Sequence, residues 1–180
     1  MSMASIINER NRKSRLKHTI KSLIASTMKV RKNINPYKKV ELLAVTPVQR
    51  TNQILVRGQA RGTAEQRLYE LLIMFSGASF SETKDKDHPL KISLGSGAYI
   101  YMAKLSGSNT KVQVRCTCKD YYFMWQWWNK QESALFGGKF PTYKRKTDNY
   151  PERNPDHVPG VCKHVIGLSE KLAQQGVLTR

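Results

Sequence analysis

Two short motifs, Cys116-Thr117-Cys118 and Cys162-Lys163-His164, constrain this chain more than any other feature, because they hold all three cysteines and one of the four histidines. Zinc accepts three thiolates and an imidazole, and a closed set of four protein ligands marks a structural site, whereas a catalytic zinc keeps a position open. The expected cofactor is therefore Zn2+, held by Cys116, Cys118, Cys162 and His164. If Val112 to Cys118 is a strand, side chains two apart leave the same face and the first two sulfurs converge. On a regular helix such residues diverge by about 200°. Cys162 and His164 thus belong on a turn just before a helix, and Pro159-Gly160 supplies the turn signal. The competing readings are ordinary buried cysteines, or one disulfide and a spare thiol. A bond between Cys116 and Cys118 is disfavoured by the Cα and Cβ separations a disulfide needs. His157, seven positions before His164, is the alternative fourth ligand.

Cys-x-Cys followed at a distance by Cys-x-His resembles the SWIM zinc finger, whose usual arrangement is two strands bearing the first pair and a helix after the second. The likeness spans Cys116 to about Leu168. The interval between the pairs, about 40 residues, is longer than usual in SWIM fingers, so the insert over 119–161 is this protein's own. The chain also resembles SWIM-bearing virion structural proteins of large tailed phages, through Cys116 to Phe123, Trp125 to Trp128, Tyr143 to Thr147 and Asn154 to His164. That likeness implies a virion component whose partners are subunits of a larger assembly. SWIM fingers are associated with both DNA and protein binding, so the motif alone does not choose a partner.

Charge is the second constraint. Lys and Arg number 31 against 13 Asp and Glu, a net charge of +18 that points to a polyanion or an acidic protein neighbour. Between Asn8 and Lys39 the cations, among them Arg10, Arg12, Lys13, Arg15, Lys17, Lys21, Arg31 and Lys32, face a single acid, Glu9. Leu16, Ile20, Leu23, Ile24 and Met28 recur there at helical spacing, which predicts a basic amphipathic helix from about Ile6 to Val30. Its uses include an arm over neighbouring subunits, a nucleic-acid contact, or a solvated face over an intramolecular packing surface. A second basic strip, with Lys139, Lys144, Arg145 and Lys146, lies in the insert. No apolar run reaches the roughly 18 residues of a membrane span, and the N-terminus has no apolar signal core. The expected location is the virion or, without that likeness, an intracellular compartment, and not a secreted one.

The fold class expected is α+β: a small antiparallel β-meander with a zinc-clamped C-terminal helix, plus a basic N-terminal helical arm. The arm covers 1–36 and the α+β domain 37–180, with the finger at 115–168. Lys39 to Val45 and Gln53 to Arg57 read as strands around a Thr46-Pro47 turn, and Gly58 and Gly62 flank a basic loop. Arg67 to Phe75 fits either a helical face or a buried strand, and the strand is preferred. Leu90 to Leu94 and Ala98 to Ala103 form a hairpin, and Lys111 to Cys116 returns beside it as a third strand. His88 sits in a polar loop and is expected to be solvated. Tyr121, Trp125 and Trp128 fall on one helical face, either a satellite core or a platform for stacking bases. Val165, Leu168 and Leu172 face the core from the last helix, which Gly176 ends.

No nucleophile-His-acid arrangement, paired-carboxylate constellation or phosphate loop is recognisable, so neither an enzyme nor a small-molecule substrate is expected. An assembly component is the preferred function and a nucleic-acid-binding protein the alternative.

Overall fold

The computed structural model describes residues 16–62, 67–95, 97–138, 143 and 151–179. Three strands in series form an antiparallel meander, upstream of the one expected over 90–116: β1 (Val40–Val48), β2 (Gln53–Arg61) and β3 (Leu68–Ser76). With β8 (Lys111–Cys116) they make an antiparallel sheet in the order β1-β2-β3-β8. A second sheet orders β4 (Phe80–Ser81), β6 (Ala98–Met102) and β5 (Leu90–Gly95) as β4-β6-β5. Two residues of β7 (Leu105–Ser106) pair in parallel with β9 (Leu178–Thr179). The helices are α1 (Ile20–Val30), α2 (Lys119–Met124), α3 (Gln126–Gln131) and α4 (Lys163–Gln174). The protein is thus α+β, an antiparallel sheet with a C-terminal helix beside the Cys/His cluster and a helix near the N-terminus.

β3 explains why 67–75 is ambiguous in sequence. Leu71 to Phe75 are buried without alternation, because β3 lies between β2 and β8 and is covered on both faces. Pro47 does not turn the chain. It pairs with Ile54 inside β1, an edge strand, where a residue without an amide donor is tolerated. The turn comes later, at Gln49–Thr51 and at Asn52 in the left-handed region (φ 51°). Arg57 to Arg61 are strand, not loop, and Gly58 is needed there: a Cβ on it would lie 2.8 Å from Leu168 Cδ1 and 2.9 Å from the Glu41 carbonyl oxygen.

The hairpin forms as expected, Ile92 opposite Ile100, but β8 does not join it. β8 crosses to the other sheet, where Val112, Val114 and Cys116 lie opposite Phe75, Ile73 and Leu71. All six are buried, and this pairing gives β8 a far larger apolar neighbour than the half-exposed hairpin offers. The outer edge of β8 is covered as well. Val112 N–H donates to the His18 carbonyl, and Val114 exchanges bonds with Ala134 and Phe136.

α1 begins at Ile20 rather than near Ile6, and residues 1–15 lie outside those described. Thr19 stops the helix from extending backwards. Its backbone is extended, its hydroxyl accepts from Ser22 N–H, and the Ser22 hydroxyl oxygen accepts from Thr19 N–H, a capping box. Ile20 and Leu23 enter the main core, Ile24 is half-buried and Met28 is 48% exposed, so the stripe rests on the body of this same chain.

α4 is the spine of the core. Val165, Leu168 and Leu172 are fully buried. Gly167 lets the helix cross the chain at Tyr37, since a Cβ on it would lie 2.2 Å from the Tyr37 carbonyl oxygen. The helix ends at Gly176 (φ 72°), with Gly176 N–H donating to Ala173 and Val177 N–H to Leu172, which satisfies two terminal carbonyls. Among the described residues no helix is long and apolar enough to cross a membrane.

Candidate metal centre

Each of the four residues is delivered by the end of an element. Cys116 is the last residue of β8, and Cys118 is the N-cap of α2 in an extended conformation. The strand therefore stops two residues earlier than a run to Cys118 would require, and the sulfurs converge across a strand-to-helix corner. Cys162 is the extended N-cap of α4 and His164 lies in its first turn. The non-helical backbone at Cys162 is what allows two residues two positions apart to face the same point.

The four ligand atoms all lie within 4.8 Å of one another. His164 Nδ1 is 4.0 Å from Cys116 Sγ and 3.9 Å from Cys162 Sγ. In a tetrahedral zinc site, Zn–S near 2.3 Å and Zn–N near 2.05 Å place sulfur and nitrogen about 3.6 Å apart, so little contraction is needed. Exposure is 2% at Cys116, 2% at Cys118, none at Cys162 and 5% at His164. The set is closed, with no side open to a substrate. His164 is packed edge-on by Tyr37, at 4.9 Å between ring centroids, and tilted against Tyr69 at 5.2 Å.

The surroundings favour the anionic form at one sulfur and oppose it at the other two. Cys118 N–H donates to Cys116 Sγ at 3.5 Å and Tyr121 N–H to Cys118 Sγ at 3.3 Å, bonds that thiolates accept well. Hydrogen bonds from Cys116 and Cys162 hold the Cys118 thiol far below its ordinary pKa. Burial pushes Cys116 and Cys162 well above theirs. Three sulfurs in a dry site thus share a negative charge they cannot all carry unaided, and a bound dication is what deprotonates such a set. Burial likewise raises the Asp120 carboxyl, against the pull of Arg31, whose Nη1 lies 3.1 Å from Oδ1 and joins α1 to α2.

No protein-family model, curated protein or solved structure matches the chain. The geometry and the donor chemistry of the cluster both fit a metal ion.

His157 plays another part. Its ring stacks on Trp128 at 4.3 Å and its Nε2 meets Glu152 at 3.0 Å, while His164 takes the place in the cluster. His88 is not simply solvated: its Nδ1 lies 2.9 Å from Asp85 and its Nε2 2.8 Å from Ser79 Oγ. Of the basic residues, Lys17, Lys21, Arg31 and Lys32 are on the surface, and Lys17 and Arg31 face Glu132 and Asp120. Arg10, Arg12, Lys13, Arg15, Lys139, Lys144, Arg145 and Lys146 lie outside the described residues.

Sequence reasoning missed the polar groups that aim the second ligand pair. Asn129 is completely buried; its Oδ1 accepts from Gly160 N–H at 2.9 Å, and its Nδ2 donates to the Gly160 carbonyl and to Tyr121 Oη. Thr27 Oγ1 accepts from Val161 N–H at 2.7 Å. Asn154 Nδ2 donates to the carbonyls of Met124 and Val158. The only sequence signal was an Asn among aromatics, which reads equally well as surface. Replacing Asn129 with Leu should cost about 2–4 kcal/mol, because both backbone groups of Gly160 lose their partner while buried. Urea unfolding measures that loss, and a chelator competition on the same variant should show weaker metal retention.

Proposed function

We propose that Cys116, Cys118, Cys162 and His164 hold a structural Zn2+ in a SWIM-type finger, and that the protein is a non-enzymatic assembly component, a virion structural protein contacting neighbouring subunits. The observation that carries the zinc reading is the closed, buried set of three sulfurs and one imidazole nitrogen within 4.8 Å. A hard cation such as Ca2+ or Mg2+ would want oxygen ligands, and this donor set has none. Support for the assembly role comes from the phage-type sequence pattern and from the +18 charge. The expected partner surface is acidic.

Elemental analysis of protein purified without added metal tests the first part, with about one zinc per chain expected. Substoichiometric metal of every kind would end it. Copurification from the native source, followed by native mass spectrometry, tests the second. A chain recovered alone and strictly monomeric would remove the assembly role.

A further inference from the structure

The insert carries a second feature, separate from the cysteine cluster. Tyr121 and Trp125 of the aromatic run go into the core, fully buried, but their neighbours do not. Tyr122, Phe123, Trp127, Trp128 and Tyr143, with Arg153, line an open groove of about 440 Å³, within the roughly 300–1,000 Å³ range of ligand pockets. Phe123 and Trp127 are each 38% exposed and Tyr143 is 40% exposed. Large aromatic surface left open in a chain this polar needs a reason.

The charges on the groove narrow its occupant. Arg153, which lines the groove, lies over the Phe123 ring at 5.7 Å, and Lys130, beside the groove and outside its lining, has its Nζ 5.8 Å from the Trp127 ring centroid, so two rings already face the protein's own cations. A cationic guest of the kind that aromatic cages bind would meet like charge. One carboxylate, Glu152, also lines the groove, and its Oε2 lies 3.0 Å from His157 Nε2. A complementary guest is anionic and presents flat faces. Single-stranded nucleic acid has both, phosphates for the cations and unpaired bases for the rings, whereas a duplex keeps its bases stacked on each other.

We propose that the groove between α2, α3 and the 151–154 segment binds single-stranded nucleic acid by stacking unpaired bases on Phe123, Trp127 and Tyr143, with Arg153 and Lys130 contacting phosphate. The site goes beyond the assembly role and is independent of it. Neither metal content nor self-association reports on it.

The test uses the full-length, metal-loaded protein and a fluorescein-labelled oligothymidylate, read by anisotropy at low salt, with a duplex of the same length and heparin as competitors. Single strand should bind on the order of tenfold more tightly than duplex, and Phe123→Ala with Trp127→Ala should weaken it on the order of tenfold per ring. Both side chains are partly exposed, and an unchanged melting curve shows that the double variant is folded. Photocrosslinking of wild-type protein to a 5-bromodeoxyuridine oligonucleotide gives a measurement free of mutation, with adducts expected on Trp127 or Tyr143. Three results would each overturn the proposal: no binding at low salt, binding that heparin or duplex matches and the double variant retains, or adducts confined to residues away from the groove.

Discussion

Chelating the proposed zinc, or replacing Cys162 with Ser, should lower the melting temperature by about 10 °C and loosen α4 from the sheet. Structural zinc sites contribute folding free energy outright, since the unfolded chain has no preformed site. Here the cluster joins the end of β8 to the start of α4, the helix that carries Val165, Leu168 and Leu172 into the core. Without the proposed ion, three thiols stand in a site with 0–2% exposure at each sulfur-bearing residue. A loss of about 3–5 kcal/mol corresponds to roughly 8–13 °C for a chain of this size. Differential scanning calorimetry with and without chelator measures it, and hydrogen exchange localises it to 162–174. A melting curve that ignores both chelator and Cys162→Ser would mean that the sulfurs are only packing groups.

Trp125→Ala should cost about 3–5 kcal/mol, the range for emptying a large buried aromatic site, while Trp127→Ala, 38% exposed, should change stability by about 0.5 kcal/mol or less. The contrast is sharp because Trp125 does more than fill space. Gly160 lies directly against its ring, so close that a Cβ on Gly160 would be 2.5 Å from Cε3 and Cζ3. The indole thus forms the floor under the turn that leads into Cys162, and its removal should weaken metal retention as well as the fold. Its buried Nε1 has no hydrogen-bond partner among the described residues, which places the expected loss towards the lower end of the range. Urea denaturation of the two variants in parallel gives the comparison.

What was legible in the sequence follows the range of each interaction. The cysteine pairs, the hairpin and the last helix with its Gly176 stop depend on neighbours a few residues away and can be read. The aromatic face of Tyr121, Trp125 and Trp128, by contrast, is split: the first two enter the core, and Trp128 stays half-buried and lines the groove. The partner of β8 could not be read. Its choice of β3 over the adjacent hairpin is set by the apolar faces of Leu71, Ile73 and Phe75, some 40 residues upstream. Helical periodicity runs on through Leu16, yet 16–19 are not helical, because the Thr19 and Ser22 hydroxyls cap α1 at Ile20; the part expected before residue 16 lies outside the described residues. Asn129 was invisible because its role depends on Gly160, which only the folded insert brings near.

Thr27 lies outside the 115–168 stretch that holds the four clustered residues, yet its hydroxyl holds the amide of Val161, the residue immediately before Cys162. An excised 115–168 fragment would lack that grip and the β3 surface beneath Cys116. Such a peptide should be a poor chelator, its thiols wandering independently. The intact polypeptide preassembles the cage from two distant stretches of backbone, 116–118 and 162–164, held in place by α1 and β3, which makes this cluster an outcome of the whole architecture and not a transplantable cassette.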